Sequence, residues 1–222
     1  MRSTGRDIEV AGRRPPPRPT GWWRQEARLE TLAHACGVAP GGEGRPRLVG
    51  FVAARRGEGT STVALQFARS LRRATGAPVL LVDAAPDEGD DGLPSLAETL
   101  GAGLPIDRAV ASLADGLVVA RLGGGSGGGG GPRRPGQREV WAAVRDRFAA
   151  AVVDAPALER SSDVVALAGQ MDAVVVVVEA ERTRTPVVEH LVGLLRHAGA
   201  PVVGTVLNKR RYHIPRFVYA RL

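Results

Sequence analysis

Six consecutive residues, Gly57, Glu58, Gly59, Thr60, Ser61 and Thr62, have the types and order of a turn that binds nucleotide phosphate. They follow an apolar, strand-like run at 48–53 and lead into an amphipathic stretch at 61–75. Strand, glycine-rich turn and helix start therefore come in the order a phosphate site requires. Glycines at 57 and 59 let successive backbone N–H groups converge on an anion, and the start of the helix adds partial positive charge there. The spacing G-x-x-x-x-G-K-S/T, however, puts Ala54 at the first glycine and Thr60 at the lysine. Arg55 and Arg56 bring charge from the other side of the loop, but a guanidinium fork is not an ammonium reaching the β- and γ-phosphates. The loop by itself leaves two readings open, a phosphate site or a structural strand-to-helix turn.

Two carboxylates weigh on that choice. Asp83 closes the run VLLVD and Asp154 closes AAAVVD, so both stand at strand ends that a parallel sheet brings beside the loop. With the Ser61 hydroxyl they form a set of hard oxygen donors suited to Mg²⁺. A single strand-terminal Asp is usually a cap or turn former. Two of them in this chain order around a glycine-rich turn favour the phosphate reading. Elsewhere, Trp141 reads as packing, and His190 and His197 read as surface residues because no third ligand accompanies them.

The elements that must position these groups follow from the hydrophobic pattern. Short β-branched runs at 48–53, 79–83, 117–121, 150–154, 173–179 and 202–207 predict strands, and amphipathic stretches at 61–75, 93–100, 106–113, 137–148, 162–170 and 186–198 predict helices. This alternation predicts an α/β fold with a doubly wound, mainly parallel sheet flanked by helices on both faces. Ligands of such sheets bind at the carboxyl ends of the strands. Residues 1–46 form a basic Pro/Gly/Arg-rich extension with one helix expected at 22–36, with Trp22, Leu29, Leu32 and Cys36 near one face that docks on the body rather than on a partner, because exposed tryptophans are costly. Residues 47–208 form the α/β domain, residues 123–136 a Gly-rich surface insertion within it, and 209–222 a basic tail.

Composition excludes several classes. With 222 residues and 44% hydrophobic content, the chain has material for one core. The lone Cys36 allows neither an internal disulfide nor a cysteine metal cluster. An N-terminus reading MRSTGRDIEV has no apolar signal core, and the run 173–178 is too short to span a bilayer, so a cytoplasmic protein is expected. Net charge is +7, concentrated in the two ends, yet no interleaved aromatic platform accompanies it, and no specific nucleic-acid partner is expected.

The run from Gly57 through Gly103 resembles the bacterial tyrosine autokinases (BY-kinases) of capsular and exopolysaccharide export, within the ParA/MinD-like P-loop ATPases. Further matches follow in order at AAAVVDAPALERSSD, MDAVVVVVEAERTRT and PVVGTVLNKRRYHIPRFVYARL, so the likeness covers about residues 47–222. It implies a P-loop NTPase fold of the deviant Walker type, with ATP and Mg²⁺ as cofactors. Ser61, Asp83 and Asp154 then match the residues of the Mg²⁺ and catalytic centre, Gly57 and Gly59 the phosphate-wrapping glycines, and Asn208 the adenine contact. Tyr212 and Tyr219 match the tail in which family members phosphorylate themselves, usually in trans within a ring. A membrane-embedded polysaccharide chain-length regulator is the implied partner, which would hold the protein at the inner face of the membrane, and a homo-oligomer is implied as well.

Departures from the family pattern cluster at its catalytic centre: Thr60 for the lysine, Ala85 for the second Asp of Asp-x-Asp, and Asp87 for the following Arg. The resulting expectation is a degenerate BY-kinase-like protein with weak or absent kinase activity, regulating exopolysaccharide polymerisation or export. An active tyrosine autokinase and a ParA/MinD-like positioning ATPase are the alternatives. Pro215 interrupts the amphipathic tail helix that membrane targeting of the second kind would use.

Overall fold

The computed structural model describes residues 22–38, 47–85, 95–123 and 137–210, with side chains described from residue 28 onward. Seven strands form one sheet: β1 (Arg47–Ala53), β2 (Val79–Asp83), β3 (Ala111–Ser112), β4 (Val118–Arg121), β5 (Ala150–Asp154), β6 (Ala173–Glu179) and β7 (Val202–Asn208). Their order is β3-β4-β2-β5-β1-β6-β7, and every pairing is parallel except that of β3 with β4. The predicted doubly wound α/β sheet is thus the observed architecture. The central strands bury nearly every residue, which is why β1, β5 and β6 read as continuous apolar runs rather than as alternations. At the edge, β7 alternates between half-buried and exposed residues, with Leu207 on its open face.

Helices cover both faces. On one side α1 (Trp22–Ala35) and α2 (Thr60–Thr75) close a cluster built on Val49, Phe51, Val63, Phe67, Val152 and Val175. Phe67 of α2 sets its ring 5.2 Å from that of Phe51 at 54°, a tilted pair that fixes the helix over β1. Leu29, Leu32 and Cys36 also pack here, as expected, and burial pushes the Cys36 thiol up to about 12, leaving it inert. On the other side α3 (Leu96–Gly101), α4 (Gln137–Arg147), α5 (Asp163–Ala168) and α6 (Thr185–His197) close a second cluster, with Leu96, Trp141, Val144, Leu167, Leu191 and Leu195. His190 and His197 are exposed on α6, in line with their reading as surface residues.

One expectation fails. The helix predicted over 106–113 is instead a 3₁₀ turn at Ile106–Arg108 followed by β3, which pairs antiparallel with β4. The reason lies just beyond it. Asp115 and Gly116, the latter at φ 75°, make a tight turn in which Leu113 N–H bonds to Leu117 O at 2.8 Å, and this turn folds the segment back as a hairpin.

Candidate functional site

The chain leaves β1 at Ala53 and enters α2 at Thr60, so the glycine-rich loop sits at the carboxyl edge of the sheet beside its central strand. From β1 the chain crosses to β2 on one side, and from β5 it crosses to β6 on the other, which makes this edge a topological switch point. Gly59 caps α2 with φ 92° and no side-chain hydrogen bond, and the first turn of the helix holds no acidic residue. The leading amides of a 16-residue helix are therefore left without a capping side chain, an arrangement that suits an anion. Ser61 and Thr62 are exposed at this start, and Thr60, half-buried, is the first residue of the helix.

One wall of the loop is acidic. Asp83 and Asp154 are register partners on the adjacent strands β2 and β5, and Asp154 is also paired with Phe51 of β1. Ser61 hydrogen-bonds to Asp154, so the three sequence-predicted metal residues come together. Burial is the main cause that pushes the Asp154 carboxyl up to about 6; the Ser61 bond works against it and the Asp83 charge adds to it. A half-buried carboxylate beside a second one and a hydroxyl is a set of oxygen donors that fits Mg²⁺, whose charge would displace the proton. Asp83 Oδ1 also accepts the Ala85 N–H at 2.8 Å, which turns the chain away from β2 where the family pattern would place a second Asp.

The opposite wall holds the loop itself. Glu58 is 2% exposed, and its carboxylate accepts the Arg55 N–H at 2.8 Å and the Thr183 hydroxyl, with Glu179 N–H at 3.5 Å. A buried carboxylate tolerates desolvation only when hydrogen-bonded in this way, so Glu58 ties the loop to the end of β6. Its backbone carbonyl accepts from Asn208 Nδ2 at 2.9 Å. Asn208 thus lies against the loop, and a Cβ on Gly59 would come within 2.1 Å of its Nδ2. From the outside, Glu159 takes the Arg56 N–H.

Sequence reasoning missed Lys209. Its ammonium donates to the Gly57 carbonyl and stands 3.4 Å from Glu179 Oε2. Its backbone is left-handed at φ 56°, a conformation costing a non-glycine residue about 1 kcal/mol or more. A signal was present, since this is the single lysine in a chain of thirty Lys and Arg residues. Other features singled out in the sequence, Asp87, Tyr212, Tyr219, the Gly-rich insertion beyond Gly123 and most of the two basic ends, lie outside the described residues.

Neither a protein-family model nor a curated protein matches the chain. Solved structures do. The VpsO kinase domain is similar at 26% identity with a TM-score of 0.65, over 86% of this chain and 98% of that one. The kinase domain of the Escherichia coli tyrosine kinase ETK is similar at 18% identity and TM-score 0.59, over 78% of this chain and 72% of its own. Cobyrinic acid a,c-diamide synthase from Mycobacterium smegmatis, solved with an ATP analog and magnesium, is similar at 17% identity and TM-score 0.59, over 80% and 79%. At their lower identities the last two speak for the fold alone.

Proposed function

From a chain built as the bacterial tyrosine kinase domains are, within the ParA/MinD-like P-loop ATPases, we propose a protein that binds Mg²⁺-nucleotide weakly and has lost efficient phosphoryl transfer. The observation that carries this reading is the state of the loop. Ser61, Asp154 and Asp83 stand together on the metal side, while the first residue of α2 is Thr60. Ser61, Asp83 and Asp154 would hold Mg²⁺, which would supply positive charge to offset the phosphates there. Without a loop lysine, the migrating phosphoryl group loses a donor of the kind whose removal commonly costs 10²–10³ in rate. Binding needs less, because backbone amides and the helix start already favour an anion.

On this reading the protein acts in exopolysaccharide or capsule assembly as a regulator of polymerisation or export. Its nucleotide state is passed on by contact with a membrane-embedded chain-length regulator rather than by modifying a substrate. Among the described residues no helix is long and apolar enough to cross a membrane, so attachment there would run through that partner. Titration with Mg²⁺-ATP while thermal unfolding is followed tests the binding half. A rise in Tm saturating in the micromolar to millimolar range is expected, and a flat response up to several millimolar would remove nucleotide from the account.

A further inference from the structure

Three carboxylates surround the back of the phosphate loop: Glu58 beneath it, Glu159 on the Arg56 amide, and Glu179 at the end of β6. An anion entering the loop meets their field unless a cation offsets it, and Thr60 supplies none. Arg182 pairs with Glu179 at 3.2 Å from the far side. Lys209 is a cation whose head group lies on the loop backbone itself. Asn208 and Lys209 are consecutive, and they donate to the consecutive loop carbonyls of Glu58 and Gly57. The backbone at Lys209 is left-handed, φ 56°, a turn that glycine would adopt without strain. Everywhere else the chain uses arginine for its basic residues, yet here it keeps the compact ammonium. An ammonium has three donors, so among the described residues the Gly57 carbonyl and Glu179 leave one N–H for a ligand.

Resting on the nucleotide reading above, we infer that Lys209 is a nucleotide-binding residue: from the end of β7 it supplies the ammonium charge that Thr60 leaves out of the loop, recognising a nucleoside di- or triphosphate. The side chain is 44% exposed, so solvent and salt screen its charge and its contribution is moderate.

The test is a cycle of four proteins, the natural chain, Lys209→Gln, Thr60→Lys and the double variant, each titrated with Mg²⁺-ADP by calorimetry. Lys209→Gln is expected to weaken binding about tenfold, less at high salt. If the two positions share one role, Thr60→Lys improves binding at least about fivefold more in the Lys209→Gln background than in the natural one. A purely structural tether gives equal improvement in both backgrounds, which overturns the inference. So does an unchanged Kd for Lys209→Gln alongside a loss for Arg55→Gln or Arg56→Gln, which assigns the charge to the loop arginines. If the natural chain itself takes up no Mg²⁺-ADP, the nucleotide reading falls and this inference with it.

A second measurement avoids substitution. Reductive methylation with ¹³C-formaldehyde marks one side-chain amine in this chain, distinct from the terminal amine, and its NMR signal reports on Lys209 directly. Mg²⁺-ADP added before the reagent is expected to slow labelling of Lys209 several-fold. Labelling unchanged by saturating Mg²⁺-ADP overturns the inference.

Discussion

On the β2–β5 side of the phosphate loop, Asp83 and Asp154 stand in register and Ser61 bonds to Asp154, whereas on the β6–β7 side Glu58, Thr183, Asn208 and Lys209 hold the loop itself. The first wall is built from strand ends close to the loop and offers oxygen to a metal. The second reaches across more than a hundred residues of sequence and offers a cation and an amide donor to the loop backbone and a hydroxyl donor to the Glu58 carboxylate. What has changed between the walls is the element midway, where Thr60 stands at the head of α2. On the proposed reading, binding and transfer are separable: the groups that would seat a phosphate are distributed over both walls, and the residue most specific to transfer is the one replaced.

Breaking the contact between the loop and the β7 wall should have the largest effect. Gly59→Ala places a Cβ 2.1 Å from Asn208 Nδ2 at a backbone φ of 92°, so the loop must leave Asn208. A loss of nucleotide affinity of about a hundredfold is expected by calorimetry, with a stability cost of about 2 kcal/mol in urea unfolding. Retained affinity would mean that the β7 wall does not shape the loop.

Asp154→Asn probes the other wall and should act in a pH-dependent way. Folding raises the Asp154 carboxyl from 3.8 to about 6, so the folded state favours its proton. Stability tied to that proton is fully present below about pH 4 and is lost as pH rises through about 6. The variant, which has nothing to ionise, is therefore expected to be more stable than the natural chain by about 1–3 kcal/mol at pH 8 and to show no such advantage at pH 4. It is also expected to lose the magnesium dependence of nucleotide binding. A stability difference constant from pH 4 to pH 8 would contradict the burial of an ionised Asp154.

The acidic wall was legible in the sequence because its geometry is local to strand ends. VLLVD and AAVVD are β-branched runs buried on both faces, each ending in the first polar residue, and β2 and β5 have the predicted bounds. The helix expected at 61–75 is α2, Thr60–Thr75, flanked by the left-handed Gly59 and Gly76. The tethering wall was not legible, since the bond from Lys209 to Gly57 spans 152 positions and no periodicity encodes it. Glu58 was read as part of the phosphate turn, but its carboxylate faces the protein and binds Thr183, 125 positions away. At 106–113 the apolar spacing of Ile106, Val110 and Leu113 suited a helix, and the Asp115–Gly116 turn outweighed it by pairing the segment with β4. A hairpin signal just past a short helical pattern is the stronger local constraint, because it fixes two segments at once.

The separation of binding from transfer is tested most directly in one reaction mixture. The natural chain and Thr60→Lys are each incubated with Mg²⁺ and γ-labelled ATP, and bound nucleotide and phosphotyrosine are measured in the same samples. The account predicts nucleotide bound by both proteins, with no phosphotyrosine above background on the natural chain. Robust phosphotyrosine on the natural chain would contradict it.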